Sequence, residues 1–190
     1  MKNLPIKKQK CLIKVGDIFE LGSHRLLCGD ARNPDHLKLL IRNDTVKVIL
    51  TDPPYGVAYV ESKEAFHDSK SVHIKIANDQ LQSEVTYKDF TQSWLHGIKP
   101  YLTPKNALYI FNSDRMLFAL REGMRSSGYY FSQLLIWIKN QAVIGRMDYL
   151  PQHELIAYGW FGKHEFIRSK DKSILFSPKP QKSKVHPTMK

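Results

Sequence analysis

The chain has 190 residues, 42% of them hydrophobic, enough for one domain with a buried core. Its formal charge is +11, from 29 Lys and Arg against 18 Asp and Glu, which favours a polyanionic partner because cationic side chains displace counterions from phosphates. No apolar run is long enough to span a membrane, Met1–Lys10 lacks the core of a signal peptide, and Cys11 and Cys28 have neither disulfide nor metal spacing, so reduced thiols and a cytoplasmic location are expected.

Basic residues gather at both ends. Lys2, Lys7, Lys8, Lys10 and Lys14 face no acid within the first sixteen residues, and Lys163, Arg168, Lys170, Lys172, Lys179, Lys182, Lys184 and Lys190 outweigh Glu165 and Asp171. Between these arms, Ile18–Leu21 and Arg25–Cys28 flank Gly22-Ser23-His24 and predict a hairpin. Pro34 suits the first position of a helix over 34–42. Val46–Thr51 is a nearly continuous apolar run, which predicts a strand covered on both faces, as in a parallel sheet. A long loop over 57–80 follows, then an amphipathic helix over 86–102 with Phe90, Trp94, Leu95 and Ile98 on one face. Asn106–Phe111 predicts a second buried strand, and Ser113 or Asp114 a cap for a helix from Arg115 to Ser126. Two further strands fall within 129–139 and 153–160. Trp137 and Tyr129-Tyr130-Phe131 read as core rather than as a platform for bases. After Gly162 the chain is polar and basic. Strands alternating with helices predict an α/β sheet, mostly parallel, with helices on both faces.

The chemistry is concentrated in Thr51-Asp52-Pro53-Pro54-Tyr55-Gly56, directly after a predicted strand, where open α/β sheets bind ligands. An exocyclic base amine is a poor nucleophile because its lone pair is delocalised into the ring. Two fixed acceptors can draw that nitrogen toward tetrahedral geometry: the Asp52 carboxylate and the Pro53 carbonyl. Pro53 and Pro54 fix φ and offer no N–H, so the corner is stiff. Preorganised polar groups of this kind are the main catalytic lever. Tyr55 can stack on an extruded base. An isolated Asp-Pro would read as an ordinary turn; the block with its preceding strand points to function. Asp30 is either a turn or capping acid or, at a strand end, a nucleoside-binding carboxylate. His153-Glu154 lacks a third ligand, and no metal is expected.

With these residues in place, the chain resembles bacterial and phage DNA adenine-N6 and cytosine-N4 methyltransferases. The order is the one in which the catalytic motif precedes the cofactor loop, and the likeness is to the branch often associated with ParB-like domains. It rests on Gly16-Asp17-Ile18, His24–Asp30, Asp52–Gly56, Lys75–Asp79, Ile136–Asn140, Gly145–Tyr149, His153-Glu154 and His186–Lys190. It implies a Rossmann-like sheet and methyl transfer from S-adenosylmethionine to a flipped base in double-stranded DNA, adenine favoured over cytosine because Asp rather than Ser opens the motif. It implies catalytic roles for Asp52, Pro53, Pro54 and Tyr55 and cofactor contacts from Asp30, Thr188 and Lys190. Lys139, Asn140 and Arg146 belong to the family's DNA-facing loop, although a solvated surface loop is nearly as good a reading of them. The implied organisation is a basic arm over 1–15, a catalytic domain over 16–162, a basic target-recognition or linker segment over 163–185 and the start of a cofactor-side helix over 186–190. A paired restriction nuclease, a dimer and a nucleoid-associated location would all suit such an enzyme.

The family's glycine-rich loop should follow His186–Lys190, yet no Gly-x-Gly occurs in the sequence. In the family that missing piece supplies central strands between the strands ending at Asp30 and Asp52. The expectation is therefore a fragment, or one half of a split enzyme, with open apolar sheet edges. The competing expectation is a catalytically inactive DNA-binding remnant.

Overall fold

A computed structural model describes residues 12–58, 79–143, 148–166 and 171–178. Arg146, Thr188, Lys190 and residues 1–11 of the N-terminal arm lie outside the described residues, as do Lys75–Asn78 and the other His186–Lys190 positions.

Strands β1 (Ile18–Leu21) and β2 (His24–Leu27) form the expected antiparallel hairpin. Gly22 at its turn has φ +64°, a left-handed conformation that suits glycine. The hairpin is a separate two-stranded sheet and not part of the main one. Helix α1 (Pro34–Ile41) follows, with Asn33 accepting from the Asp35 N–H and Pro34 in the first turn. Arg25 ties hairpin to helix: its Nε donates to the Leu40 carbonyl at 2.6 Å and its Nη2 to the Ile41 carbonyl at 3.1 Å.

The main sheet contains β3 (Val46–Thr51), β4 (Leu102–Asn112), β5 (Tyr129–Ile138), β6 (His153–Phe161) and β8 (Ile174–Phe176), in the order β3-β4-β6-β5-β8, with β7 (Lys163–His164) pairing β4 off this path. Two of the four junctions are parallel, β3 with β4 and β5 with β8; β4 with β6 and β5 with β6 are antiparallel. The sheet is mixed, not mostly parallel. The reason is the connection between β5 and β6: the described residues of 139–152 form no helix, and the chain turns back rather than crossing over.

Helices α2 (Glu84–Ile98) and α3 (Leu117–Ser126) pack on one face. Ser83 caps α2 by accepting from the Thr86 N–H. A 3-10 turn, Asp114–Met116, leads into α3 in place of the expected Ser113 or Asp114 cap on a helix starting at Arg115. The core joins Tyr87, Trp94 and Leu95 of α2 and Leu120 and Met124 of α3 to Leu108, Ile110, Tyr129 and Ala157 of the sheet. The opposite face carries an aromatic row, including Tyr109 against Tyr158 and Tyr130 against Trp160. Tyr130 is exposed, unlike its buried neighbour Tyr129, so the aromatic run is only partly core.

β3 is the terminal strand of this order. Val48 is 55% and Leu50 70% exposed, whereas Ile49 packs against the core. The expectation of a strand covered on both faces fails here, because a continuous apolar run does not separate an inner strand from an edge strand with one bare face.

Candidate active site at the strand ends

The register brings several strand ends together. Thr51 is opposite Ile110, two residues before the end of β4 at Asn112; Leu155, at the start of β6, pairs Asn112; His153 pairs Ile138 at the end of β5. The Asp52–Gly56 corner, Asn112, Lys139 and Glu154 therefore share one end of the sheet.

Asp52 is exposed at the tip of β3, while Pro53, Pro54 and Tyr55 are half-buried. Behind the carboxylate, the Tyr55 hydroxyl meets two acceptors. It approaches Glu154 Oε2 at 3.5 Å, and the Asp52 carboxylate acts on it from the same corner. Burial, and then the negative charges of Asp52 and Glu154, push the Tyr55 phenol far above its ordinary range, so it remains a donor. Tyr87, wholly buried on α2, donates to Asn112 Oδ1 at 3.1 Å and is also held protonated, by burial first and then by Asp52 and Asp79. Asn112 Oδ1 accepts from the Ser113 N–H as well, at 2.9 Å. The buried Asn112 Nδ2 and Ser113 Oγ have no hydrogen-bond partner among the described residues.

The exit from the corner is fastened by Asp79, which is 4% exposed. Its Oδ1 accepts from the Gly56 N–H at 2.9 Å and the Val57 N–H at 3.4 Å, and its carbonyl accepts from the Ala58 N–H. Gly56 has φ +66°, and a Cβ there would meet Gln82 side-chain atoms at 3.1 Å. Ala58, at φ 52°, is a non-glycine residue in left-handed conformation, held by that last hydrogen bond.

Lys139 is not on an exposed loop. It is 6% exposed, ion-paired with Glu154 Oε1, and lies 5.4 Å from the centre of the Trp137 ring. Glu154, paired in the sequence with His153 only as a rejected metal motif, is thus the link between Lys139 and Tyr55. Asn140 is exposed. The sequence reading assigned no role to Glu154, Asp79, Tyr87 or Asn112. An acid opening a buried apolar strand, within a stretch that carries the family resemblance, was the signal for Glu154.

Asp30 lies elsewhere, in an open cleft of about 550 Å³ lined by Asp30, Arg32, Asn33, Thr86, Asp89, Phe90 and Ser93. Arg32 Nη2 lies 2.6 Å from Asp30 Oδ2, and this hydrogen-bonded guanidinium holds the carboxyl below the usual aspartate range. The Asp30 N–H donates to His36 Nδ1 at 2.9 Å. Arg32 also stands over the Phe90 ring, 5.6 Å from its centre.

A mixed α/β sheet with an acidic proline corner at its strand ends defines the class: an α/β protein with its candidate site at the ends of the strands. The sequence model of the N6/N4 DNA methylase family, described as DNA methylase, matches residues 46–188, more than half of the chain. The chain belongs to that family. No curated protein matches. Among solved structures, M1.HpyAVI in complex with SAM is similar with a TM-score of 0.50 and 20% identity, covering 78% of this chain and 62% of that one. A second M1.HpyAVI structure gives a TM-score of 0.46 and 17% identity, covering 72% and 58%. The chain spans less than two thirds of the length of these structures. No helix among the described residues is long and apolar enough to cross a membrane.

Proposed function

We propose that this chain is the catalytic half of a DNA methyltransferase acting on the exocyclic amine of a flipped base, with adenine-N6 preferred to cytosine-N4. The observation that carries the reading is the exposed Asp52 carboxylate at the tip of β3, with the Tyr55 hydroxyl tied down behind it. In this reading the Asp52 carboxylate and the Pro53 carbonyl accept the two amine N–H groups and localise the nitrogen lone pair. Pro54 keeps the corner from flexing. Tyr55 offers its ring to the extruded base, and Asp79 keeps the corner closed. Family membership supports a DNA substrate. Among the expected DNA-facing residues, Asn140 is exposed; buried Lys139 fits a place inside the wall of the site better than a phosphate contact.

S-adenosylmethionine is the proposed methyl donor. The cleft at Asp30 suits its adenosine end: carboxylates of Asp30 and Asp89 for amine and hydroxyl groups, hydroxyls of Thr86 and Ser93, and the Phe90 ring for a purine face. When bound, the cofactor supplies an electrophilic methyl group. Thr188 and Lys190 are proposed at its methionine end. The bare side chains of Val48 and Leu50 on terminal strand β3 further suit a sheet that continues past this strand. The proposed continuation is a segment carrying the glycine-rich loop, joined in the same polypeptide or supplied by a second one.

The test is nucleoside mass analysis of unmethylated mixed-sequence DNA after incubation with labelled S-adenosylmethionine and the chain, alone and with a cofactor-loop half from a family member. Labelled N6-methyladenine is the expected product. N4-methylcytosine would overturn the base preference, and label in neither base would leave the chain a DNA-binding remnant. In calorimetry the chain alone should bind the cofactor weakly; tight binding would argue against the proposed continuation.

A further inference from the structure

Tyr55 has one hydroxyl proton and two carboxylates to give it to. Asp52 lies in the same corner; Glu154 reaches in from the start of β6, its Oε2 at 3.5 Å. Glu154 is itself fixed. Its other oxygen is paired with Lys139, at the end of β5, and the two side chains are only 5% and 16% exposed. Such a buried pair rarely gains stability over apolar residues of the same size. Its place beside the Asp52 corner calls for another explanation. Among the described residues, Tyr87 on α2 also faces Tyr55.

We propose that Glu154, oriented by its ion pair with Lys139, is a positioning residue for methyl transfer: it takes over the Tyr55 hydroxyl proton as a hydrogen-bond acceptor, so that the Asp52 carboxylate is released to the substrate amine. The inference rests on the methyltransferase reading of Asp52 and goes beyond it. With no base present, the phenol lies between the two carboxylates and competes for an acceptor site of Asp52. An arriving amine needs that site. A second acceptor lets the phenol rotate away without becoming a buried orphan donor, which would otherwise cost about 1–3 kcal/mol. No proton leaves Tyr55 in this exchange; only its hydrogen-bond partner changes. The same exchange sets the ring plane that the base stacks on.

The experiment has two readouts on one set of variants: wild type, Asp52→Asn, Glu154→Leu, and Lys139→Met/Glu154→Leu. The double variant replaces the pair by apolar side chains and should melt near wild type, separating positioning from folding. The first readout needs no activity. In the full chain labelled with 13Cζ-tyrosine, the Tyr55 resonance, assigned by its loss in Tyr55→Phe, should move in Glu154→Leu and in the double variant. Adding Asp52→Asn to the double variant should move it further still, because neither carboxylate then faces the phenol. The second readout is steady-state methyl transfer: kcat should fall about 10-fold in the double variant while KM for DNA stays within about twofold, an effect confined to the chemical step. A Tyr55 resonance unmoved by loss of Glu154, or a double variant with wild-type kcat, would overturn the proposal. If no preparation transfers methyl groups, the methyltransferase reading fails, and the resonance arm still decides whether Glu154 and Asp52 share the phenol.

Discussion

The strand-end corner and the Asp30 cleft hold acidic groups in opposite ways. Behind exposed Asp52 at the corner, charged and phenolic groups sit close together with little solvent: Tyr55 beside Glu154, Glu154 on Lys139, Asp79 on three backbone N–H groups. In the cleft, Asp30 and Arg32 form a pair whose side chains are about two-fifths exposed. Water screens the second arrangement and not the first, so equal numbers of ion pairs should have very unequal consequences.

Variants can break that contrast. The largest effect is expected from Asp52→Ala, with methyl transfer falling by about a hundred- to a thousandfold while the melting temperature hardly moves, because an exposed preorganised acceptor is lost. Lys139→Met alone should cost about 3–5 kcal/mol in denaturant unfolding, since it strands the Glu154 charge. Asp79→Ala should cost about 2–4 kcal/mol, mainly from the unmet Gly56 and Val57 N–H groups, and should raise hydrogen exchange at those two amides. Tyr87→Phe should cost about 1–2 kcal/mol, because buried Asn112 loses one of its two donors.

The smallest effect belongs to the cleft. Asp30→Asn should change unfolding free energy by less than about 1 kcal/mol. The sign of its pH dependence follows from a carboxyl held below its ordinary value when folded. Its contribution is present above the ordinary aspartate range, about pH 4, and is lost as pH falls through the lower folded value. Wild type and Asp30→Asn should therefore converge in stability in acid. A cleft variant as damaging as Lys139→Met would erase the distinction between the two regions.

The parts of the molecule written locally were readable from the sequence. Val46–Thr51 followed by Asp52-Pro53-Pro54-Tyr55 placed a strand and a stiff corner, Gly22 placed the hairpin turn, and the hydrophobic face of 86–102 placed most of α2. What depended on distant pairing was not readable. The direction of β6 is a choice made by the 139–152 connection, whose lack of a helical pattern was the available sign of an antiparallel return. The exposure of Val48 and Leu50 depends on which strand lies beside β3. Lys139 looked like a loop cation because its partner is 15 positions away, on the neighbouring strand. Only the β5–β6 register brings Lys139 and Glu154 together.

The central claim is that the Asp52 carboxylate holds the amine being methylated. Its most direct test compares wild type with Asp52→Ala for label transfer from S-adenosylmethionine to adenine N6, with the cofactor-loop half supplied and DNA binding measured in parallel. The account predicts unchanged DNA binding and at least a hundredfold loss of transfer, about the effect of removing one preorganised polar group. Equal transfer by the two proteins would contradict it.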